Sequence, residues 1–280
     1  PYGTWYVREI EQPTGFVLDD TIYPVTIGAD GQVVEIEIVN RYVRGNIHLT
    51  KVDSEYPDNK LTGATFEVYK DSNANGKMDD GDELLGTLTE KEKGEYSMND
   101  LFYGRYFVKE TKAPEGFVLD TGVYEVMIDT NGKTCEVENK AGVGFINDAM
   151  RGNLKIVKTS SDGKVKGFAF RITGANGYDI ILETNDKGEI FIDGLRIGDY
   201  TISEVSNSAS SMYVIPADKK ATVKLGSTTI VEMHNLLRDT PKTGDTTNLP
   251  LLYALAGLSA VGIAVCGVIG FKKKKKEDRN

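Results

Sequence analysis

Apolar and polar residues alternate in short runs along most of the chain up to residue 238, and Gly, Asn and Asp separate the runs. A period of two places successive side chains on opposite faces of a β-strand, and Gly, Asn and Asp are typical of the turns between strands. The pattern therefore predicts an all-β architecture for this part of the chain. Residues 249–271 break the pattern, because they are almost uniformly apolar and carry no charge.

The apolar run is long enough to cross a membrane. A helix over residues 249–271 would span roughly 34 Å at about 1.5 Å per residue, which matches a bilayer. Five lysines follow directly at residues 272–276. Since positive residues favour the cytoplasmic side, the preceding segment is expected outside the cell. The sequence thus predicts one C-terminal transmembrane helix (249–271) and a basic cytoplasmic tail (272–280), for which an ordinary single-pass anchor would suffice.

Two stretches recur along the chain, which indicates internal repeats. WYVRE at 5–9 with PTGF at 13–16 returns as YFVKE at 106–110 with PEGF at 114–117, and RGNIHLTK at 44–51 returns as RGNLKIVK at 151–158. These recurrences divide the chain into the end of one repeat (1–43), a complete second repeat (44–150), a complete but more divergent third repeat (151–238) and a linker (239–248). The chain starts at Pro1 without a signal-peptide pattern, so we expect it to be the C-terminal part of a longer secreted protein.

Several polar residues lie in phase with the apolar face of their strands. Lys51 is in phase with Ile47 and Leu49, as Lys158 is with the corresponding pair of the third repeat. Three glutamates and three asparagines show the same phase: Glu9, Glu110, Glu204, Asn40, Asn147 and Asn235. A buried unpaired charge costs several kcal/mol, so a Lys, a Glu and an Asn directed toward each core predict a function. The alternative is that the lysines end their strands with amines in water.

The recurring motifs resemble those of a known family. The Tyr-x-Val-x-Glu strand followed by Pro-x-Gly-Phe is similar to SpaA-like and collagen-binding-protein B-type repeats of Gram-positive adhesins and pilins, and the resemblance covers nearly all of residues 1–238. The third repeat keeps the strand at 200–204 but lacks Pro-x-Gly-Phe. The resemblance implies tandem Greek-key β-sandwiches of prealbumin-like or immunoglobulin-like type.

The same resemblance implies a spontaneous isopeptide bond between a lysine and an asparagine in each complete repeat, with a glutamic acid as proton shuttle. By position the pairs are Lys51–Asn147 with Glu110 and Lys158–Asn235 with Glu204. Glu9 and Asn40 would belong to a set whose lysine precedes Pro1. Asn139 competes with Asn147 in the second repeat. Asn147 is preferred because Asn40 and Asn147 both lie five residues before the Gly of an Arg-Gly-Asn start.

A short motif upstream of the apolar run resembles the Gram-positive sorting signal Leu-Pro-x-Thr-Gly. It consists of Thr240, Pro241, Lys242, Thr243 and Gly244, so that Thr replaces the usual Leu. The resemblance implies that a sortase attacks the carbonyl of Thr243 and transfers the acyl group to a peptidoglycan precursor or to a pilin lysine. The protein would then reside in the cell wall, and only its precursor would be held in the plasma membrane.

An acidic stretch matches most positions of an EF-hand-type calcium loop but lies between strand-like segments. Its candidate ligands are Asp71, Asn73, Asn75, Lys77 (through its carbonyl), Asp79 and Asp82. The alternative is an acidic turn without a metal. No other cofactor is expected.

Charge and cysteine content narrow the class of protein. The formal net charge is −9 although the chain ends in a basic tail, so nucleic acid is not an expected partner. Cys135 lies in a strand and Cys266 in the apolar run, so no disulfide is expected in the exterior part. Another means of stabilisation is therefore expected for a secreted protein.

Together these features favour a non-enzymatic, wall-anchored adhesin stalk, with a host extracellular matrix protein as a candidate ligand. A basal or minor pilus subunit is one alternative. A major pilin is disfavoured, because Tyr56-Pro57 lacks the adjacent lysine of a pilin acceptor motif. The stalk of a surface enzyme with its catalytic domain before residue 1 is another alternative.

Overall fold

The computed structural model describes residues 1–238. The sorting motif, the predicted transmembrane helix and the basic tail lie outside the described residues. Strands and turns form nearly all the regular structure of residues 1–238, and the one exception is a 3₁₀ turn at Ala175–Gly177. This part of the chain contains no helix long and apolar enough to cross a membrane. The predicted all-β architecture is confirmed for these residues.

The N-terminal repeat consists of two small antiparallel pairs. Strand β1 (Gly3–Val7) pairs with β3 (Tyr23–Ile27), and β2 (Phe16–Val17) pairs with β4 (Arg41–Tyr42). Asn40 is in phase with Ile36 and Ile38, which predicts a strand through residues 36–40, but this strand is not formed. In the complete repeats the corresponding segment pairs with the first strand of the repeat. Residues 1–43 contain no strand in that position, so the backbone groups of residues 36–40 lack a ladder to join.

The second repeat is a sandwich of two sheets. Its strands are β5 (Arg44–Asp53), β6 (Thr65–Lys70), β7 (Glu83–Thr87), β8 (Thr89–Glu92), β9 (Glu95–Phe102), β10 (Gly104–Lys112), β11 (Val123–Ile128), β12 (Thr134–Glu136) and β13 (Phe145–Asn147). One sheet has the order β11-β10-β6-β7 and the other β12-β5-β9-β8, with β13 also paired to β5. Buried aromatic rings fill the space between them, and Phe66 contacts Tyr96 and Phe145 edge-on, with centroids 5.3 and 4.9 Å away.

The third repeat has the same design with one continuous last strand. Its strands are β14 (Arg151–Ser160), β15 (Ala169–Thr173), β16 (Asp179–Glu183), β17 (Glu189–Arg196), β18 (Gly198–Val205), β19 (Tyr213–Val214), β20 (Lys219–Val223) and β21 (Thr228–Leu237). One sheet has the order β16-β15-β18-β20. In the other, β14 lies between β17 and β21, and β19 pairs with the end of β21.

First and last strands run parallel and side by side in both complete repeats. In the second repeat Lys51 lies opposite Phe145, and Asn147 lies opposite Asp53. The third repeat has the same register, because Lys158 lies opposite Met233 and Asn235 lies opposite Ser160. In each case the asparagine is therefore opposite the residue two positions beyond the lysine. The first strand of each complete repeat thus carries the lysine, and the last strand carries the asparagine.

The junction between the first and second repeats is built on backbone hydrogen bonds. Val43 N–H donates to Gly15 O at 2.8 Å, and Tyr103 N–H of the second repeat donates to Val43 O at 3.1 Å. Gly15 belongs to the Pro-x-Gly-Phe motif and has a positive φ of 83°, which favours glycine. A Cβ on Gly15 would lie only 3.3 Å from Tyr103 Cβ. The motif therefore allows close approach of the next repeat.

The second and third repeats are joined by the same pattern. Met150 N–H donates to Gly116 O at 2.8 Å, and Ile197 N–H of the third repeat donates to Met150 O at 3.0 Å. Gly116 belongs to the second Pro-x-Gly-Phe motif and has the same positive φ of 83°. Pro-x-Gly-Phe thus forms the surface on which the following repeat packs at both junctions. The third repeat, which lacks the motif, is the last repeat before the linker.

Candidate crosslink sites in the two complete repeats

The second repeat brings together three buried polar residues on three different strands. Lys51 lies on β5, Glu110 on β10 and Asn147 on β13, and 0%, 0% and 3% of their surface is exposed. The lysine extends from one sheet and the glutamate from the other. Strand alternation explains their direction, because each lies in phase with fully buried apolar neighbours such as Leu49 and Val108.

The glutamate and the asparagine are in direct contact. Asn147 Nδ2 donates to Glu110 Oε2 at 2.7 Å and to Val118 O at 2.5 Å. Asp120 N–H donates to the same glutamate oxygen at 2.8 Å. Lys51 Nζ donates to the backbone oxygen of Phe145 at 3.0 Å, on the strand that carries the asparagine. The lysine amine thus lies next to the strand of Asn147.

Two oxygens of this cluster are buried without a hydrogen-bond partner, namely Glu110 Oε1 and Asn147 Oδ1. A buried polar atom without a partner costs about 1–3 kcal/mol. Such orphaned atoms need an explanation in a well-packed core. A proton on Glu110 and a reaction at the Asn147 carboxamide would provide one.

Burial shifts both titratable groups of the second repeat toward their neutral forms. It lowers the pKa of Lys51 to about 8, against the opposing charges of Glu110, Asp120 and Asp53. Burial also raises the pKa of Glu110, against hydrogen bonds from Asn147 and the Asp120 backbone and the positive charge of Lys51. A neutral amine is a nucleophile and a neutral carboxyl is a proton donor. The site can therefore present both functions at once.

The third repeat contains the same cluster. Lys158, Glu204 and Asn235 are 1%, 7% and 0% exposed. Asn235 Nδ2 donates to Glu204 Oε1 at 2.6 Å, and Lys158 Nζ donates to Thr159 O at 2.5 Å. Glu204 Oε2 and Asn235 Oδ1 are buried without a partner, as their counterparts are in the second repeat. Burial lowers the pKa of Lys158 and raises that of Glu204.

The N-terminal repeat has only the glutamate and asparagine of such a cluster. Asn40 Nδ2 donates to Glu9 Oε1 at 2.6 Å, and Asp19 N–H donates to Glu9 Oε2 at 2.7 Å. Both side-chain residues are half-buried, and residues 1–43 contain no lysine. The pair repeats the Asn147–Glu110 contact in a segment that lacks the first strand.

Asn139 has a different environment from Asn147. Its Nδ2 donates to Asp120 Oδ2 at 2.7 Å and to Ile146 O at 2.8 Å, and its Oδ1 accepts from Ile146 N–H at 2.6 Å. Both ends of the carboxamide are therefore engaged. Asn139 lies in the segment between β12 and β13, which leaves the sheet before β13 rejoins β5. Its side chain thus attaches this segment to β13, the strand that carries Asn147, through the hydrogen bonds to Ile146.

The acidic loop connects β6 and β7 and is folded around its own polar side chains. Asp71 accepts backbone N–H groups of Asn75 and Gly76 at 3.1 and 3.0 Å. Asp79 accepts the side-chain amides of Asn73 and Asn75 at 3.0 and 2.5 Å. The remaining candidates are Lys77, whose N–H donates to Asn75 Oδ1, and Asp82, which accepts Asp79 N–H at 3.0 Å.

The donor set of this loop suits a hard cation only if amide and backbone oxygens take part. Within residues 1–238 no three His, Cys, Asp or Glu side chains lie close enough to hold a metal ion by themselves. Carboxylate, carboxamide and carbonyl oxygens together are the ligands that calcium prefers. Calcium binding by this loop therefore stays a prediction.

Sequence reasoning missed an interaction beside the second-repeat site. Asp53 at the end of β5 is fully buried, and Arg196 of the third repeat donates to both of its carboxylate oxygens. The sequence does show that Asp53 lies on the same inward face of its strand as Lys51, and that the third repeat has Ser160 in the matching position. The arginine is 143 residues away in sequence, and no local pattern points to it.

Comparison with known proteins gives matches along most of the chain. The family described as the SpaA prealbumin-like fold domain matches residues 1–42, 45–141 and 152–236. The trypsin-resistant surface T6 protein of Streptococcus pyogenes serotype M6 is 29% identical over 186 residues, which is 64% of this chain and 30% of that protein. The chain therefore spans less than a third of the length of this relative.

One of the matching solved structures supports the same fold. The Bacillus anthracis TIE protein matches 84% of this chain and 42% of its own chain, with 26% identity and a TM-score of 0.64. The minor pilin GBS52 of Streptococcus agalactiae covers 72% of this chain at 18% identity, with a TM-score of 0.34. Because the matched family covers well over half of the residues and the fold agrees, this chain belongs to the SpaA prealbumin-like fold domain family.

Proposed function

We propose that this chain is the stalk of a Gram-positive surface protein whose two complete repeats are each closed by an autocatalytic lysine–asparagine isopeptide bond. The observation that carries the proposal is the pair of buried clusters, in which Lys51, Glu110 and Asn147 recur as Lys158, Glu204 and Asn235 with the same strand register. Burying one such cluster costs free energy, and the recurrence of the same cluster in both repeats indicates a common function.

The proposed reaction forms one bond and breaks one. The neutral amine of Lys51 attacks Cγ of Asn147, the Cγ–Nδ2 bond breaks, and ammonia leaves as the secondary amide forms. Glu110 contacts Nδ2, so it can protonate the leaving nitrogen and take back the proton that the attacking amine loses. No oxidant or cofactor is needed, and each repeat reacts once.

The position of the bond suits a protein under tension. It would join the first and last strands, through which force enters and leaves a repeat. A pull on the ends then passes through the covalent amide, and the hydrogen bonds of the sheets carry less of the load. The described residues contain one cysteine, Cys135, and it is free, so the crosslink would take the stabilising role of a disulfide.

Attachment to the cell surface is the second part of the proposal. The T6 relative is named as a surface protein, and the sequence at 240–244 resembles a sorting signal. A sortase would cleave after Thr243 and pass the chain to peptidoglycan precursor or to a pilin lysine. The membrane-spanning segment would then serve the precursor alone, and a host matrix protein is the proposed ligand of the full-length protein.

A pilus subunit is the second candidate, because sortase transfer to a pilin lysine would use the same crosslinked repeats. The residues after Tyr56-Pro57 favour a basal or minor subunit over a shaft subunit, since the adjacent acceptor lysine is missing.

Intact mass of the full chain, purified in detergent, tests the crosslinks directly. We expect a mass lower than the sequence mass by two molecules of ammonia. Glu110→Ala and Glu204→Ala should each restore one ammonia, and Asn139→Ala should change the mass only by the substitution itself. A wild-type mass equal to the sequence mass would refute the isopeptide bonds. If the crosslink is lost in Asn139→Ala but still forms in Asn147→Ala, then Asn139 is the reacting asparagine and the assignment to Asn147 is wrong.

A further inference from the structure

The end of strand β5 in the second repeat is held by an arginine of the third repeat. Asp53 lies two residues after Lys51, and its side chain is fully buried. Arg196, at the end of β17, donates from Nη1 and Nη2 to the two Asp53 oxygens at 2.6 and 2.7 Å. A bidentate, charge-assisted pair of this kind is among the strongest hydrogen-bond arrangements in proteins.

The surroundings of Arg196 keep it in this position. Its guanidinium lies 4.9 Å from the ring centre of Tyr56 and 5.9 Å from that of Phe117, which follows the docking Gly116. Glu55 accepts two further N–H groups, at 3.0 and 2.6 Å. Only 15% of the Arg196 side chain is exposed. The arginine is therefore largely enclosed by the junction, with a small part of its side chain exposed.

The third repeat provides an internal comparison. The residue two positions after Lys158 is Ser160, which carries no charge. Its hydroxyl lies 2.9 Å from Asp162 Oδ1 and 2.6 Å from the Lys164 backbone oxygen and can donate its one proton to either. At this strand position a carboxylate thus occurs in the repeat whose successor supplies an arginine, and a neutral residue occurs in the repeat that no further repeat follows in this sequence. The other carboxylate besides Glu204 that acts on Lys158 is Asp162, which is paired with Lys164 of its own repeat.

The charged groups around Lys51 explain why the charge of Asp53 has to be compensated for the lysine to become neutral. Three carboxylates act on the lysine, namely Glu110 on β10, Asp120 after β10 and Asp53 on β5, and each favours the charged amine. The charges that act on Glu110 are those of Lys51 and Asp120, without Asp53. An uncompensated charge on Asp53 would therefore stabilise the unreactive ammonium without helping the glutamate to keep its proton.

We propose that Arg196 is a positioning residue for the crosslink of the second repeat: by docking, the third repeat compensates Asp53 and fixes the end of β5, so that Lys51 presents a neutral amine to Asn147. The inference rests on the isopeptide reaction proposed above and adds an order to it. The third repeat must be folded before the second repeat crosslinks efficiently, whereas the third repeat crosslinks on its own.

The pH profile separates this role from a merely structural one. The reactive state of the pair is neutral Lys51 with protonated Glu110, and the competing state is the ion pair of charged Lys51 with charged Glu110. Both states hold the same number of protons, so the population of the reactive state is constant between the two pKa values of the pair. It falls at low pH, where both groups are protonated, and above about pH 8, where Lys51 and Glu110 are both deprotonated. Each unit by which the pKa of Lys51 rises lowers the plateau rate about tenfold and moves the alkaline limb up by about one pH unit.

The experiment follows both crosslinks in one molecule. The full chain is isolated in denaturant from inclusion bodies, where it has not folded, and intact mass must first show that it has lost no ammonia. It is then refolded by dilution into detergent buffers between about pH 5 and pH 10, which span the profile. Samples are quenched, digested and analysed by peptide mass spectrometry. For Arg196→Gln we expect the second-repeat crosslink to form at least about tenfold more slowly on the plateau, with a raised alkaline limb. The third-repeat crosslink should keep its wild-type rate.

Two further variants guard against misfolding. The double variant Arg196→Gln with Asp53→Asn should recover most of the wild-type rate, because no buried carboxylate then remains uncompensated. Arg171→Gln, which removes an arginine from an exposed ion pair with Asp179 in the third repeat, should change neither crosslink.

The outcomes distinguish the two proposals. If the wild-type chain forms neither crosslink, the isopeptide proposal fails and takes this inference with it. If the wild-type chain forms both, an unchanged second-repeat rate in Arg196→Gln overturns the positioning role alone. A slower rate with an unmoved alkaline limb and no recovery in the double variant overturns it as well, because only packing would then have been lost.

Discussion

Replacing Asn147 with Ala should remove the covalent link between the first and last strands of the second repeat. The loop closed by that link runs from residue 51 to residue 147. By the chain-entropy relation used for disulfides, closing a loop of this size stabilises the folded state by roughly 4–5 kcal/mol through the unfolded state. The variant also leaves Lys51 and Glu110 buried as an uncrosslinked pair, which adds to the expected loss.

That loss is large enough to be seen in a melting experiment. For a domain of this size 1 kcal/mol corresponds to a shift of about 4–8 °C, so the second repeat should melt on the order of 20 °C lower. Differential scanning calorimetry of the full chain in detergent gives the transitions, and hydrogen exchange assigns each transition to a repeat. Asn235→Ala should produce a similar shift confined to the third repeat.

Asn139→Ala is the matched control. It removes a carboxamide of the same repeat, with three hydrogen bonds, and should cost only about 1–3 kcal/mol as lost hydrogen bonds. The reasoning is refuted if Asn147→Ala melts within a few degrees of wild type while its mass shows that the crosslink is gone. It is equally refuted if Asn139→Ala and Asn147→Ala are indistinguishable in both melting and mass.

Three further predictions concern other parts of the molecule. Lys51→Arg should keep a positive charge but block the second-repeat crosslink, because a guanidinium does not lose its proton; the mass should rise by one ammonia beyond the substitution, and an unchanged ammonia loss would contradict this. Calcium should bind the loop between β6 and β7, with an affinity at least about tenfold weaker in Asp79→Asn; titration calorimetry without heat in the wild type would contradict it. Gly15→Val should loosen the first junction, since φ at this position is +83° and a Cβ would crowd Tyr103. Hydrogen exchange at Val43 N–H should then be faster, and exchange at Met150 N–H, the matched position of the second junction, should be unchanged.

Much of the design could be predicted from local patterns. The period of two predicts strands and tells which side chains share a face, because successive Cβ atoms alternate across a strand. That rule alone directs Lys51, Lys158, Glu110 and Glu204 toward the cores, where the structure buries them. Recurrence of the motifs then predicts the number of repeats, since each repeat follows the same alternation and turns.

The strand through residues 36–40 shows the limit of that rule. Ile36 and Ile38 alternate correctly with their neighbours, yet no strand forms. A strand at this position is stabilised by pairing with the first strand of its own repeat, and that partner does not occur in residues 1–43. Alternation thus describes the face that a strand would bury, whereas pairing decides whether the strand exists.

The sequence by itself determined the all-β class and the identity of the residues that point inward, and it predicted the repeat boundaries from the recurring motifs. Only the tertiary structure decided that Asn147 contacts Glu110 while Asn139 closes the segment before β13, because that depends on where the last strand leaves and rejoins the sheet. It also decided that Arg196 compensates Asp53 across the junction. Alternation fixes the direction of a side chain relative to its own strand, but which side chains meet depends on register and docking between distant segments.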